Sequence, residues 1–156
     1  MLQLQQKSFN YVFMTQKPDP SAITAWARLI RAQRTALEAV EADLKKSGYP
    51  PLVWYDVLLE LERSAAGSLR HGALNAELLL PKHNLSRLID RMEKQGLVNR
   101  DACKSDKRGS FVCISKKGRK LRQDMWPTYE AAIARHFANR FSLAEAKRLA
   151  ELLARI

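Results

Sequence analysis

The chain has 156 residues and carries 27 Lys and Arg against 16 Asp and Glu, a formal net charge of +11. This length suits one domain, or one core with dimerisation extensions. Two cysteines give no disulfide framework and indicate a reducing compartment. No apolar run approaches the roughly 20 residues that span a membrane, and the first residues lack the pattern of a signal peptide. We therefore expect a cytoplasmic protein with no membrane partner.

The excess positive charge is concentrated in one segment. Residues 82–122 contain 13 Lys and Arg and 4 Asp and Glu, a balance of +9, whereas the rest of the chain has a balance of +2. A surface that follows nucleic-acid phosphates requires such a concentration, because each neutralised phosphate releases counterions. The alternative is a solvated basic face that maintains solubility. We favour nucleic acid, because the charge coincides with the helix and hairpin described below.

The first part of the chain is predicted to be an arm followed by a long helix. Residues 1–18 show no clear periodicity and look like an arm. Met14, shortly before a helix start, could be the natural initiator; the alternative is an ordered arm that packs on a partner subunit. Residues 19–48 open with Asp-Pro-Ser, a helix-start signal, and should remain helical to about Lys46. The apolar side of this helix is formed by Ile23, Trp26, Ala27, Ile30, Leu37, Val40 and Leu44.

The middle of the chain predicts two further helices and a short strand. A proline turn at residues 49–51 should open a helix from Leu52 to about Ser64. Leu69 is expected to pair briefly as a short first strand. A short helix from Ala73 to Leu80 then follows, as the first helix of a helix-turn-helix.

Residues 81–115 predict a helix, a glycine stop and a two-stranded hairpin. Four apolar residues recur with helical spacing and indicate one buried face: Leu85, Leu88, Ile89 and Met92. Gly96 follows at the position where a helix ends in a left-handed residue. Strands at residues 97–98 and 111–114 enclose the cationic tip KSDKRG. A helix that exposes polar groups, followed by a basic hairpin, is typical of a winged helix. The fold class is therefore mainly α with a small β-hairpin wing.

Two more helices are expected after the hairpin. Ser115 can cap a helix that begins at Lys116. Pro127 lies inside that helix and should kink it, because proline removes a backbone hydrogen bond. Residues 142–145, Ser-Leu-Ala-Glu, form a capping box before the last helix.

Four segments in order carry a family resemblance: LSRLIDRME at 85–93, GLVNR at 96–100, DKRG at 106–109 and ISKKG at 114–118. Together they resemble the MarR family. The resemblance implies a homodimeric, DNA-binding transcription regulator, often released from DNA by a small ligand or by oxidation. It further implies a winged helix-turn-helix domain at residues 49–115 and N- and C-terminal dimerisation helices at 19–48 and 116–156. The alternative for the first helix is an ordinary core helix within a monomer.

The predicted double-stranded DNA contacts lie on the exposed side of the second helix-turn-helix helix, in the wing and just after it: Lys82, His83, Asn84, Ser86, Arg87, Arg91, Lys107, Arg108 and Lys117. Arg87 is the expected base reader, since arginine binds guanine through two hydrogen bonds. Lys82 and Ser86 could contact phosphate alone, which positions without specifying. For His83, base and phosphate contact are equally favoured.

Two hypotheses concern the wing. In the family match, Asp106 folds the wing tip and orients Arg108, whose planar cation suits a narrow minor groove. The alternative is a simple turn with a surface ion pair of little stability. Cys103 lies among cations that favour thiolate, so oxidation there could release DNA. A bystander thiol is the favoured alternative, because no resolving partner is evident.

The resemblance also implies a site for a small aromatic effector, with candidate residues Trp26, Trp54, Tyr55 and Arg70. The alternative is that these aromatics are plain core. No metal-ligand spacing, phosphate-binding glycine loop or catalytic motif is present in the sequence, so we expect no cofactor, no metal and no enzymatic activity. The predicted function is sequence-specific regulation of transcription as a repressor. The alternative is a winged-helix interaction module that binds an acidic protein partner.

Overall fold

A computed structural model of the chain describes residues 17–78, 82–100 and 111–156, with only the backbone of Lys82 and His83. The described helices are α1 (Pro20–Lys46), α2 (Leu52–Arg63), α3 (His71–Glu77), α4 (Lys82–Lys94), α5 (Lys116–His136) and α6 (Leu143–Leu153), with a 3-10 turn at Ala138–Arg140. The strands are β1 (Ser68–Arg70), β2 (Val98–Arg100) and β3 (Phe111–Ile114). The chain divides into two compact units, Met1–Arg34 and Thr35–Ile156, with the boundary inside α1. Within the described residues, no helix combines the length and the apolar character that a membrane span requires.

The three strands form one antiparallel sheet in the order β1-β3-β2. Leu69 of β1 lies opposite Val112 of β3, and Arg100 of β2 lies opposite the same residue from the other side. The predicted short first strand at Leu69 is therefore confirmed. The fold is mainly helical with a small β-sheet wing, as the sequence indicated.

One core cluster holds the helices of the winged lobe against the sheet. The predicted apolar face of α4 is fully buried in it: Leu85, Ile89 and Met92 are 0% exposed and Leu88 is 3% exposed. The other buried members come from α2, α3 and the strands: Trp54, Val57, Leu58, Leu61, Leu74, Leu97, Val98, Val112 and Ile114. Burial of four large side chains stabilises α4 in the lobe by several kcal/mol, at about 1.5–3 kcal/mol for each.

A second core cluster joins the end of α1, the start of α2 and the middle of α5. Its buried members are Val40, Leu44, Leu52, Tyr55, Met125 and Ala132. Leu121 of α5 is partly buried and packs against both clusters. At one end of the cluster, Asp43 binds the ring nitrogen Nε2 of His136 at 2.8 Å. That hydrogen bond, more than the nearby charge of Arg135, lowers the pKa of Asp43.

The caps of three helices follow the sequence prediction. The carboxylate of Asp19 accepts a hydrogen bond from the backbone N–H of Ser21 at 2.7 Å, at the start of α1. The hydroxyl of Ser115 accepts from the backbone of the first turn of α5. Ser142 and Glu145 form the complete capping box of α6. Each cap satisfies backbone N–H groups that have no partner inside the helix.

Helix α3 differs from its predicted bounds. It begins at His71 instead of Ala73, because the extended Arg70 ends β1 and caps the helix directly. It ends at Glu77, and the predicted continuation to Leu80 lies partly outside the described residues. Helix α5 remains helical through Pro127, and the predicted kink there stays a prediction. The arm is outside the described residues as far as residue 16.

The long helix α1 leaves much of its predicted apolar side exposed in a single copy of the chain. Val40 and Leu44 are buried, whereas Ile23, Trp26 and Ile30 are 53%, 65% and 47% exposed. The C-terminal helix α6 has a comparable surface, with Leu143, Leu152, Leu153 and Ile156 exposed. A single copy of the chain therefore leaves apolar surface on both terminal helices in contact with water.

Replacement of Gly118 by alanine should destabilise the fold. A Cβ atom at Gly118 would lie 2.3 Å from the carbonyl oxygen of Leu97 and 2.9 Å from Cδ2 of Leu58. Because backbone must move to relieve this overlap, we expect a loss of about 2 kcal/mol in the free energy of unfolding. Gly72→Ala is the matched control, since nothing lies within 4 Å of its Cβ position. Urea unfolding measures both variants, and equal stability of the two would contradict the close packing at Gly118.

Stability should also depend on the protonation of Asp56 in α2. Burial, and then the charges of Glu60 and Glu41, raise the pKa of Asp56 to about 6. The folded pKa lies above the ordinary value of 3.8, so stability falls as pH rises from 3.8 through about 6. Asp56→Asn removes the ionisable group and with it this loss of stability. Because the carboxyl is only half-buried, we expect a gain of about 1 kcal/mol in the free energy of unfolding at neutral pH. Thermal unfolding below and above this window measures the gain.

The control for this prediction is Asp124→Asn, the same change at an exposed carboxylate that pairs with Lys120 at 3.0 Å. It should produce no comparable gain above the window. A gain for Asp56→Asn that is equally large in acid would show that shape, and not charge, is responsible.

Candidate nucleic-acid interface

The recognition-helix candidate α4 ends in a defined backbone turn. Gly96 has a φ of +70°, a conformation that residues with a side chain rarely adopt. Its N–H donates to the carbonyl of Glu93 at 2.8 Å, and the N–H of Leu97 donates to the carbonyl of Met92 at 3.0 Å. These two bonds form a Schellman motif, with Leu97 and Met92 buried in the same core cluster. The predicted glycine stop is confirmed, and the turn leads straight into β2.

The first turn of α5 holds this end of α4. The hydroxyl of Ser115 donates to the carbonyl of Gly96 at 2.7 Å and accepts from the N–H of Gly118 at 2.9 Å. The ammonium of Lys117 donates to the carbonyl of Gln95 at 2.8 Å. A cation at a helix C-terminus is favourable, because the carbonyl groups there carry partial negative charge. Lys117, a predicted DNA contact, thus also caps α4, and two of its three N–H donors stay available for a phosphate.

Opposite the buried face, α4 exposes three of the predicted DNA contacts. Asn84, Arg87 and Arg91 are all exposed. In the described part of the chain, neither arginine is held by a hydrogen bond or an ion pair to another residue. Both guanidinium groups are therefore available to an external acceptor. Four other predicted contacts fall outside the described side chains, together with Asp106 and Cys103 of the wing: Lys82, His83, Lys107 and Arg108.

Ser86 has a different environment from its neighbour Arg87. It is half-buried, and its hydroxyl lies 3.3 Å from Nε2 of His71 in α3. It lines an open groove of about 550 Å³ together with His71, Asp90 and Arg100. Ser86 therefore lies beside the exposed side of α4 that contains Arg87 and Arg91, on the side of the helix that faces α3 and β2.

Sequence reasoning gave no functional role to Arg100, although it lies within the GLVNR segment. Arg100 ends β2, and its guanidinium forms ion pairs with Asp90 and Glu93 of α4. It also donates to the backbone carbonyl of Ser86 at 3.2 Å. The sequence did contain a signal for these ion pairs. Asp90 and Glu93 lie three residues apart on α4, and Arg100 follows them after the tight turn at Gly96.

The candidate effector residues of the second unit lie in three different environments, and Trp26 belongs to the first unit. Trp54 is buried in the core cluster of the winged lobe, and Tyr55 is buried in the second cluster. Trp26 is exposed in the N-terminal unit. Arg70 lies over the ring of Phe111, 5.0 Å from its centroid. Two of the four residues thus contribute to core packing, and the effector assignment stays a prediction.

Comparison with known proteins relates this geometry to a family. The family model described as MarR family matches residues 47–109. Over this segment the chain is similar to winged-helix proteins of the MarR family. The segments at 85–93, 96–100 and 106–109, from which the family was predicted, all lie inside the match.

Individual relatives extend the likeness beyond the matched segment. The uncharacterized HTH-type transcriptional regulator YkoM of Bacillus subtilis is 27% identical over 117 residues, which cover 75% of this chain and 74% of YkoM. The crystal structure of AbsC, a MarR-family transcriptional regulator from Streptomyces coelicolor, has a TM-score of 0.77 and 27% identity, covering 89% of this chain and 93% of AbsC. Sco3205 from the same organism, solved in complex with DNA, has a TM-score of 0.78 and 26% identity, covering 88% and 89%. The chain therefore resembles MarR-family transcriptional regulators over most of its length.

Proposed function

We propose that the protein is a sequence-specific, double-stranded DNA-binding transcription regulator in which α4 is the recognition helix. One observation carries the proposal: α4 buries its apolar face completely while Arg87 and Arg91 are exposed and unpaired in the described structure. An exposed arginine on a helix that fits the major groove can bind a guanine edge through two hydrogen bonds. The length of α4, 13 residues, is sufficient for this role.

The charge distribution supports nucleic acid as the partner. The balance of +9 in residues 82–122 falls on α4, the wing and the start of α5. In the described structure these elements adjoin one another, since Ser115 and Lys117 bind the end of α4. A cationic surface of this kind follows phosphates around a recognition helix. The DNA complex of Sco3205 supports the same use of this fold.

We further propose that the active species is a homodimer. The exposed side chains Ile23, Trp26 and Ile30 of α1, and Leu152 and Leu153 of α6, are the surfaces that a second copy would cover. Large apolar residues grouped in this way are typical of an interaction surface. Two recognition helices about 34 Å apart would then enter successive major grooves of a two-fold symmetric operator.

The proposal includes repression by occupancy, with release by a small ligand. A dimer bound across two grooves blocks polymerase, and a ligand that changes the separation of the two α4 helices lowers DNA affinity. The family resemblance supports an aromatic effector, with Trp26, Trp54, Tyr55 and Arg70 as the predicted residues. Release by oxidation at Cys103 is the other proposed route. A panel of aromatic carboxylic acids, added to the preformed DNA complex, tests the ligand route.

Selection of binding sites from random duplexes, followed by Arg87→Ala, tests the recognition role of α4. Loss of a two-pronged base contact should cost about 1–3 kcal/mol on the selected duplex and relax preference at one base position. Lys117→Ala should instead weaken all duplexes alike and reduce the salt dependence, because it removes a phosphate contact. Fluorescence anisotropy at several salt concentrations measures these effects.

Arg63→Ala is the control for Arg87→Ala. Arg63 is an exposed arginine of α2 that pairs with Glu60 of the same helix, at 3.5 Å. It should leave the base preference intact. Equal weakening of every duplex by Arg87→Ala would make Arg87 a phosphate contact. Failure of the wild type to prefer any duplex over random DNA would favour the protein-interaction alternative.

A charged substitution on α6 tests the dimer. Leu152→Glu places a carboxylate on apolar surface that a second copy would cover, so the protein should become monomeric at micromolar concentration and lose operator binding. Light scattering coupled to size-exclusion chromatography measures the mass. Lys147→Glu is the control, because it introduces the same charge at an exposed polar position of α6. A Leu152→Glu protein that stays dimeric would exclude this surface from the interface.

A further inference from the structure

Arg100 connects α4 to the wing at several points of the helix. Its guanidinium donates to the carbonyl of Ser86 at 3.2 Å and forms ion pairs with Asp90 and, at 3.7 Å, with Glu93. Its backbone N–H donates to the Glu93 carboxylate at 2.8 Å. Ser86, Asp90 and Glu93 lie at positions i, i+4 and i+7, so a single side chain spans two turns of α4 along one edge.

The groups bound by Arg100 are adjacent in sequence to the two exposed arginines that we propose contact DNA bases. Arg87 directly follows Ser86, and Arg91 directly follows Asp90. The bond to the Ser86 carbonyl restrains the rotation of α4 about its own axis, because the position of that oxygen on the helix circumference is set by the helical backbone. The rotation of α4 in turn decides the direction in which Arg87 and Arg91 leave the surface.

The surroundings of Arg100 argue against a direct phosphate contact. Two carboxylates, Asp90 and Glu93, face its single positive charge, so the cluster as a whole is negative and repels phosphate. The Arg100 side chain is 29% exposed and its carboxylate partners are 48% and 37% exposed. Ion pairs exposed to this extent contribute little to stability. Arg100 is distinguished by its geometry, because one planar guanidinium binds three groups of α4.

We propose that Arg100 is a positioning residue that determines DNA sequence discrimination without touching a base. It holds α4 at a fixed rotation relative to the wing, so that Arg87 and Arg91 meet the base edges in one orientation. This inference rests on the proposed function of α4. Lysine is a poor substitute, because a single ammonium lacks the planar fork that binds a carbonyl and two carboxylates together.

The first experiment compares Arg100→Ala and Arg100→Lys with the wild type on the selected duplex and on a random duplex. Both variants should lower the ratio of the two affinities by about tenfold, the scale of one misplaced base contact. Affinity for random DNA should change less than about twofold, since no phosphate contact is lost. Arg119→Ala is the matched control: it removes a half-exposed arginine of α5 that pairs with Glu62 at 3.6 Å. It should leave the ratio unchanged.

The second experiment tests whether Arg100 acts through its partner on α4. Asp90→Asn should lower the affinity ratio in the same direction, and the double variant with Arg100→Ala should be little worse than Arg100→Ala alone, because residues that act as one unit are non-additive. An unchanged ratio in Arg100→Lys overturns the proposal. An equal loss of affinity for both duplexes overturns it as well, since that result identifies a phosphate contact.

The third experiment measures how firmly α4 is held in the absence of DNA. Hydrogen exchange of the α4 amides in the free protein should be faster in Arg100→Lys than in the wild type and unchanged in Arg119→Ala. Arg100→Lys retains the charge, so it decides the question if Arg100→Ala does not fold. Unchanged exchange in α4 overturns the positioning role. If the wild type prefers no duplex, the proposed function fails, and faster exchange still shows that Arg100 holds α4.

Discussion

The close approach of Gly118 to the carbonyl oxygen of Leu97 determines how α4 and the long helix α5 are joined. A side chain at position 118 would overlap that backbone oxygen, so α5 starts directly against the turn that ends α4. The hydroxyl of Ser115 and the ammonium of Lys117 complete the junction by binding the carbonyl groups of Gly96 and Gln95, which directly follow α4. A displacement of α5 is therefore transmitted to the end of α4 through these direct contacts.

Helix α4 has three sides with different environments. Its apolar residues anchor it in the core, and they include Leu85 and Ile89, which are fully buried. Its exposed residues Arg87 and Arg91 have no partner within the described structure. Between these two surfaces, Ser86 and Asp90 face a groove and the guanidinium of Arg100. The residues that hold the helix and the exposed arginines are thus neighbours along the chain, about 100° apart around the helix axis.

Helix α5 also connects the two core clusters. Leu121 packs against the cluster of the winged lobe and against the second cluster, in which Met125 and Ala132 of α5 are buried. The half-buried carboxyl of Asp56 lies on α2, whose side chains contribute to both clusters.

The sequence by itself determined the order of the elements and most of their ends, with the start of α3 as an exception. Periodic apolar residues predicted the buried face of α4, Gly96 predicted its stop, and Ser115 and Ser142 predicted caps, because each signal acts within a few residues of the chain. The tertiary structure alone decided three matters. It placed Ser86 in a groove and Lys117 on the end of α4, it assigned Arg100 its partners across the turn, and it buried Trp54 and Tyr55 in different clusters. These depend on distances between residues far apart in sequence, which periodicity and local chemistry do not determine.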